Sequence, residues 1–387
     1  MRLAFVDPRN RGVSGLDNGS SIEGVGVVRV PDAIARFCST TSTSVGLRVG
    51  VLERLPAVIG FDGAFFATTD PATLLYTSAV RHHMPAEASA AFIRTEFGAD
   101  DVNQLRVLAR AKDPVGWLDA ATHEDRNASL RYREAMRPFG LGDELRIALR
   151  LDGYCWGLLC LHREQSGIGF AQSDADMLGA LAPYLAAGLR RSVITDAAAV
   201  DWTEDGPGVA MVNSDRTLEA VTPAAARWLD ELAALDRPTV SGLPTVVRAV
   251  VERLEIGVPR SAQSLIPRAR VQTPAGRWLV VHASHLENDE GRVAIVIEPA
   301  TPAALSPLVI AAYGMTTREA EVAQRLLAGL ARKSIAVQLT ISIHTVNDHV
   351  KAIFDKSGVS SAGQLRARLL SDASGGARPA LSSPNNP

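Results

Sequence analysis

The 387-residue sequence predicts a multidomain α+β protein that closes on an all-α unit of four short helices. Three observations carry this expectation. At roughly 100 to 200 residues per domain, the length calls for two to four domains. Between about residues 60 and 300, strand-like runs punctuated by turn dipeptides alternate with helical patterns, so both element types must share each unit. From Met315 onward the apolar period is helical throughout, with capping residues at each helix start. Hydrophobic residues make up 47% and charged residues 21% of the chain, which places it among globular rather than disordered or membrane proteins.

Residues 1–30 are rich in Gly, Ser, Asn and Arg and read as a flexible tail. Helical spacing follows in Ile34, Phe37 and Cys38, then in Val51, Leu52 and Leu55. Ala64–Thr68 and Leu74–Ala79 read as strands separated by the turn Asp70-Pro71, with helical or irregular sequence up to Tyr132. The clearest signal in this half is Glu144–Leu151, Asp152-Gly153 and Tyr154–His162, an alternating pair of strands about a two-residue hairpin turn. Unbroken alternation would set Leu149 opposite Trp156, Ile147 opposite Leu158 and Leu145 opposite Cys160 on one face. On the other face Ala148 would meet Gly157 and Arg150 would meet Cys155. The small pair leaves room for a close-packed helix, the favoured reading, or for a ligand. Strand parity puts Cys155 and Cys160 on opposite faces and Cys160 with His162 on one, too few ligands for a metal. His82-His83 are expected to diverge in a polar loop. Ser173–Ile194 is an amphipathic helix with acidic residues at its start and Arg190-Arg191 near its end. The run RPFGLGDELRIALR, DG, YCWGLLCLHRE, followed by Phe170 and Asp174, resembles GAF domains, and the likeness spans residues 31–195. It implies a GAF-like α/β sandwich serving as a sensor.

Val209–Val212 and Leu218–Val221 read as strands about the turn Asn213–Asp215, and Thr222-Pro223 opens a helix with cap and first residue in the preferred order. Leu265–Gln272, Trp278–His285 and Arg292–Glu298 supply three more strands, with turns at Pro274–Gly276 and Asn288–Gly291. Over residues 201–298 this order of elements is similar to a PAS-like α+β domain. Residues 299–307, PATPAALSP, read as a semi-rigid Ala/Pro linker, and residues 372–387 as a disordered tail.

In the C-terminal unit, residues 308–371, Thr316 and Glu319 form a capping-box pair, Gly329 ends the first helix, and Ile335, Ala336 and Leu339 mark a second. Ser342 then caps a third, whose buried stripe is Val346, Val350 and Ile353; Ser361, Gln364, Leu365 and Leu369 define a fourth. Two helices joined by a tight break at about residues 332–351 form a helix-turn-helix pattern. Met315–Leu370 holds eight Arg or Lys against four Asp or Glu, a net +4, whereas the chain is −2 and the remainder therefore −6. Cationic charge is segregated onto one end, where it would supply salt-sensitive phosphate affinity.

At residue level the unit resembles the LuxR-type four-helix DNA-binding domain. The matching positions include Thr316, Arg318, Glu319, Glu321, Val322, Gly329, Lys333, Ile335, Ala336, Leu339, Ile341, Ser342, Thr345, Val346, His349, Ile353, Lys356, Gly358 and Val359. The resemblance implies that Asn347, Asp348 and Lys351 face base edges, with Lys333, Ser342, His344, Thr345 and His349 as further DNA-binding positions. Asn can pair with adenine, Lys can reach guanine O6 or N7, and Asp can accept from cytosine N4. Asn347, Ser334 and Ala331 depart from the Lys, Glu and Ser usual there, weakening one contact and the cap of the second helix. The fourth helix, through Leu365 and Leu369, is implied as a dimer surface.

The expected function is therefore a one-component transcriptional regulator that binds double-stranded DNA as a homodimer and senses a small-molecule effector or a protein signal. The alternative is a protein-interaction regulator whose GAF-like and PAS-like units only dimerise or dock onto a signalling partner. No enzyme is expected, since the Lys-Ser/Thr phosphate loop, HExxH and GxSxG are all missing from the sequence. Cys38, Cys155 and Cys160 have no metal-ligand spacing, so neither metal nor cofactor is expected. The longest apolar run, Gly179–Leu189, is short and contains Pro183; with no signal-peptide pattern, no membrane contact and a cytoplasmic location are expected.

Overall fold

Alternating apolar residues about the Asp152-Gly153 turn build the centre of the first of two five-stranded antiparallel sheets. The computed structural model describes residues 30–85, 87–195, 206–237, 242–255, 267–286 and 291–367. Of the sequences read as tails, 1–30 and 372–387, residues 1–29 and 372–387 lie outside these residues, as does Leu369, whereas Val30 opens the first helix.

Helices α1 (Val30–Thr40) and α2 (Ser44–Arg54) precede strands β1 (Gly63–Thr69) and β2 (Tyr76–His82). Helices α3 (Ala88–Phe97) and α4 (Leu105–Leu108), strand β3 (Val115–Trp117) and helix α5 (Leu118–Ala121) follow, then β4 (Leu141–Leu151), β5 (Tyr154–Glu164) and α6 (Gln172–Thr195). The sheet order is β2-β1-β5-β4-β3. Strand β3 is not legible in the sequence, because three residues cannot establish a period.

The hairpin turn forms at Asp152 and Gly153, with φ of +52° and +83°. Its register departs from unbroken alternation: Arg150 pairs Cys155, but Leu149 then pairs Gly157, Ile147 pairs Leu159 and Leu145 pairs Leu161. Trp156 is the extra residue of a β-bulge, and a bulge reverses the facing of everything beyond it. Leu158 and Cys160 therefore leave the face of Leu145 and Ile147, and Cys155 joins Cys160 in one cluster instead of opposing it. Gly157 is a close-approach position. A Cβ there would lie 2.6 Å from the Ala67 carbonyl oxygen and 2.8 Å from Leu189 of α6, so the gap admits a packed helix and no ligand. His82 and His83 do not diverge, since their rings lie 4.0 Å apart. Among the described residues no group of three or more His, Cys, Asp or Glu is placed to hold a metal ion.

Away from α6, the sheet carries a buried ionic cluster. Arg131 Nη2 lies 2.7 Å from Glu144 Oε2, and Arg146 Nη2 lies 2.5 Å from Glu96 Oε2. Arg146 Nε also points at Cys160 Sγ, 3.3 Å away. Burial alone would raise the Glu144 carboxyl, yet the two guanidiniums outweigh it and hold the group below the usual carboxylate range. His162 is fully buried, 4.0 Å from Glu144 Oε1, and neither ring nitrogen has a hydrogen-bond partner among the described residues. Burial lowers its imidazole to about 4 against the pull of that carboxylate. A depressed histidine stays neutral when folded while the unfolded chain takes up a proton near its ordinary value of 6.5, so stability falls as pH drops across that window. At 1.36 kcal/mol per unit, urea titrations should lose about 3 kcal/mol between pH 6.5 and 4 through this group, and His162→Leu should flatten that limb. Parallel losses in both proteins would assign the slope to other residues.

The second sheet repeats the order of the first. It comprises β6 (Gly208–Val212), β7 (Leu218–Val221), β8 (Arg268–Gln272), β9 (Trp278–His285) and β10 (Val293–Pro299), arranged β7-β6-β10-β9-β8. Helices α7 (Pro223–Ala233) and α8 (Thr245–Glu255) lie between β7 and β8 in sequence, and Thr222 caps α7 through the Ala225 N–H at 3.3 Å. The two units are joined by buried polar contacts. Asp236 accepts from the N–H groups of Ala79 (2.9 Å) and Thr245 (3.0 Å), while Asp70 accepts from Arg270 Nε (2.8 Å) and Nη2 (2.6 Å).

Most of the stretch read as a linker is helical. Thr301 caps α9 (Pro302–Ala312) through the Ala304 N–H at 3.2 Å, and Pro302 takes the first helical position, where its missing N–H leaves no bond unmade. Leu305, Leu308, Val309, Ile310 and Ala311 are all buried, so α9 is apolar around much of its circumference and packs between α6 and the first helix of the C-terminal unit. Its Ala/Pro composition mimics a linker; burial makes it a helix. Among the described residues no helix is long and apolar enough to cross a membrane.

Candidate nucleic-acid interface

Helix α10 (Thr317–Leu327) opens with both halves of the capping box: Thr316 Oγ1 accepts from the Glu319 N–H at 3.3 Å, and Glu319 Oε2 from the Thr316 N–H at 2.7 Å. Lys356 Nζ donates to the same Glu319 oxygen at 2.7 Å and to the Gly314 carbonyl at 2.9 Å. Burial would raise this carboxyl, but those hydrogen bonds and the ammonium charge lower it. The third helix is thereby fastened to the start of the first. Gly329, at φ +82°, ends α10.

Helix α11 (Arg332–Leu339) starts without a side-chain cap, as Ala331 foretells, and is held by the buried Ile335, Ala336 and Leu339. Thr340, at φ +55°, turns the chain left-handed. Ser342 then caps α12 (Ile343–Ser357) through the Thr345 N–H at 3.0 Å. Val346, Val350 and Ile353 are buried, which fixes the rotation of α12 about its own axis. The opposite side carries His344, Asn347, Asp348 and Lys351, all exposed, at the i, i+3, i+4 and i+7 spacing of one helical face.

The remaining positions singled out from the sequence flank this face. Lys333 is exposed at the start of α11, and Ser342 and Thr345 share a hydroxyl hydrogen bond of 2.9 Å within the cap. His349 is half-buried. Lys333 and Lys351 make no ion pair among the described residues. One contact escaped the sequence reading: Arg332 Nη1 donates to Asn347 Oδ1 at 3.0 Å, bringing a further cation to the outward face. Its only signal was adjacency to Lys333.

In the fourth helix, α13 (362–367), one of the two residues implied as a dimer surface turns inward, and the other, Leu369, lies outside the described residues. Leu365 is 0% exposed and belongs to the unit's own core, so it offers no surface to a second copy. Ser361 Oγ accepts from the Gln364 N–H at 3.1 Å while Gln364 Oε1 accepts from the Ser360 N–H at 2.8 Å, a cap that turns Leu365 inward.

The family model of bacterial regulatory proteins of the luxR family matches residues 314–367. The C-terminal unit is a LuxR-family domain. Its matched span begins at Gly314, whose carbonyl receives Lys356, and ends within α13. Solved structures similar to the chain include Escherichia coli SdiA, at 12% identity over 89% of this chain and 96% of that one, with a TM-score of 0.33. SdiA in complex with octanoyl-rac-glycerol is likewise 12% identical, over 91% and 97%, with a TM-score of 0.33. Bacteriophytochrome RpBphP3 from the photosynthetic bacterium R. palustris is 12% identical over 73% and 64%, with a TM-score of 0.27. No curated protein matches the chain. Outside its LuxR-family domain, the two sheets rest on their own geometry.

Proposed function

We propose that this protein is a DNA-binding transcriptional regulator whose LuxR-family domain lays α12 in the major groove and whose sheet units receive a signal. The observation that carries the reading is the outward face of α12: His344, Asn347, Asp348 and Lys351 are exposed on a helix whose rotation is fixed by its own core. In this proposal Lys351 reaches guanine O6 or N7, Asn347 reads adenine, and Asp348 accepts from cytosine N4. Arg332, Lys333, Ser342, His344, Thr345 and His349 contact phosphates and hold the register. The GAF-like and PAS-like assignments of the sheet units belong to the same proposal and are supported by their order of elements. Binding as a homodimer would read half-sites about 10 bp apart.

The test is quantitative footprinting of the full chain on duplex DNA from its own genomic neighbourhood at several salt concentrations. Lys351→Ala is expected to weaken cognate binding at least about 10-fold, equivalent to about 1.4 kcal/mol, and to leave the thermal midpoint unchanged because the side chain is exposed. Unchanged affinity would remove Lys351 from the interface. If the wild-type chain protects no duplex site even in dilute buffer, the regulator reading fails.

A further inference from the structure

Between the two sheet units lies a cavity of about 540 Å³, within the size range of small-molecule sites. Its walls come from both sheets and from α9: Trp156 of β5, Trp278 of β9 and Leu308 all line it. Trp156 and Trp278 are largely buried, and neither indole N–H meets an acceptor among the described residues. Unpartnered buried donors of this kind are rare in folded proteins and mark a place where an acceptor is missing.

Charge distinguishes this cavity further. Three guanidiniums line it, those of Arg48, Arg237 and Arg270, against one lining carboxylate, Asp70, which Arg270 engages with two nitrogens. Arg48 is 1% exposed and makes no ion pair among the described residues; its nitrogens donate to the Ser44 and Phe66 carbonyls at 3.2 Å and to Ser78 Oγ at 2.8 Å. The carboxylate whose charge acts on it, Asp236, already accepts from two backbone N–H groups. Burial lowers Arg48 to about 10, the mark of a cation held without adequate compensation. A cavity with surplus positive charge, hydroxyls from Ser and Thr, and two indoles for a flat apolar body suits one ligand chemistry.

We propose that this inter-unit cavity binds a small aromatic carboxylate, its charge directed to the Arg48 and Arg237 side and its ring between the apolar walls. The interior of the first unit is not available for such a ligand, because the face of its sheet away from α6 is filled by the Arg131, Glu144, Arg146 and Glu96 ions. Leu308 lies on the helix that leads into the LuxR-family domain, so occupancy would be felt where α9 meets α10. That regulatory consequence rests on the proposed function; the binding itself does not.

The experiment uses the full chain, without DNA, and two isosteric probes, 2-naphthoate and its uncharged analogue 2-naphthamide. The five indole N–H signals in a two-dimensional NMR spectrum are assigned by single Trp→Phe variants. Titration with 2-naphthoate should move the Trp156 and Trp278 signals and spare Trp228, with 2-naphthamide at least about 10-fold weaker. Arg237→Gln, at the exposed rim, should weaken 2-naphthoate several-fold and leave 2-naphthamide unchanged; Arg48→Met should abolish the preference for charge if it folds. Equal binding of the two probes, or no shift at Trp156 and Trp278 at millimolar 2-naphthoate, overturns the proposal. Because no DNA is present, neither result depends on whether the regulator reading holds.

Discussion

Glu144→Ala is expected to destabilise the first sheet unit by about 3 kcal/mol, the lower end of the cost of breaking a buried ion pair by removing one partner. The carboxylate accepts from Arg131 Nε at 2.8 Å and sits 3.7 Å from Arg146 Nε, and all three side chains are buried. Among the described residues, removing it leaves Arg131 with only the more distant Asp101, whose Oδ2 lies 3.7 Å from Nη1, and the Val102 carbonyl, which accepts from both Nη atoms at 3.2 Å; Arg146 keeps Glu96. For a unit of this size the thermal midpoint should fall by roughly 6–12 °C. The double variant Glu144→Ala/Arg131→Met should recover part of that loss, because both charges of the close pair go together, while Asp101 keeps its bonds from Ser129 Oγ and the backbone N–H of residue 131 but loses its counter-charge. Calorimetry on the three proteins decides the matter. If the single variant lies within about 1 kcal/mol of wild type, Asp101 or entering water compensates Arg131 and Glu144 is not the partner on which the cluster depends.

Neither this cluster nor the inter-unit cavity could be read from the sequence, and the reason is separation along the chain. Arg146 meets Glu96 fifty residues away and Asp70 meets Arg270 two hundred away, so no local period reports them. The LuxR-family domain is the opposite case. Thr316 with Glu319 and Ser342 with Thr345 act within one helical turn, and the stripe of Val346, Val350 and Ile353 fixes α12 alone, so the outward positions followed from spacing. Even there, the Arg332 to Asn347 contact crosses the turn and left no trace in the pattern. The errors share one origin as well. Trp156 looks like any alternating apolar residue, and only the packing of Gly157 against α6 selects the bulge that flips Leu158 and Cys160. Leu365 had one apolar side to give, and sequence cannot tell whether it goes to its own core or to a partner. Pro302 and Pro307 suggested a spacer until burial of their neighbours made the segment a helix.

Asp70→Ala should have the second large effect and reach furthest through the molecule. The carboxylate is 1% exposed and engages Arg270 at 2.6 and 2.8 Å while also accepting from the backbone N–H groups of Arg270 and Ala72 at 2.9 Å each. Arg270 in turn donates to the Ala304 carbonyl in the first turn of α9 at 3.2 Å. One carboxylate therefore fastens the β1–β2 turn to β8 and, through Arg270, to the helix that carries the LuxR-family domain. Its removal leaves a guanidinium that is 9% exposed without a counter-charge, for which the expected loss is about 3–5 kcal/mol. The loss should be localised as well as large. Hydrogen exchange should speed up in β8 and the first turn of α9 and stay unchanged in α10 to α12, whose capping and core do not involve Asp70. Asp70→Ala/Arg270→Met should restore most of the stability but not the slow exchange of α9, since the bond to Ala304 is lost with the guanidinium. Uniform acceleration across all three units would show instead that they unfold as one body, and that Asp70 is no hinge between them.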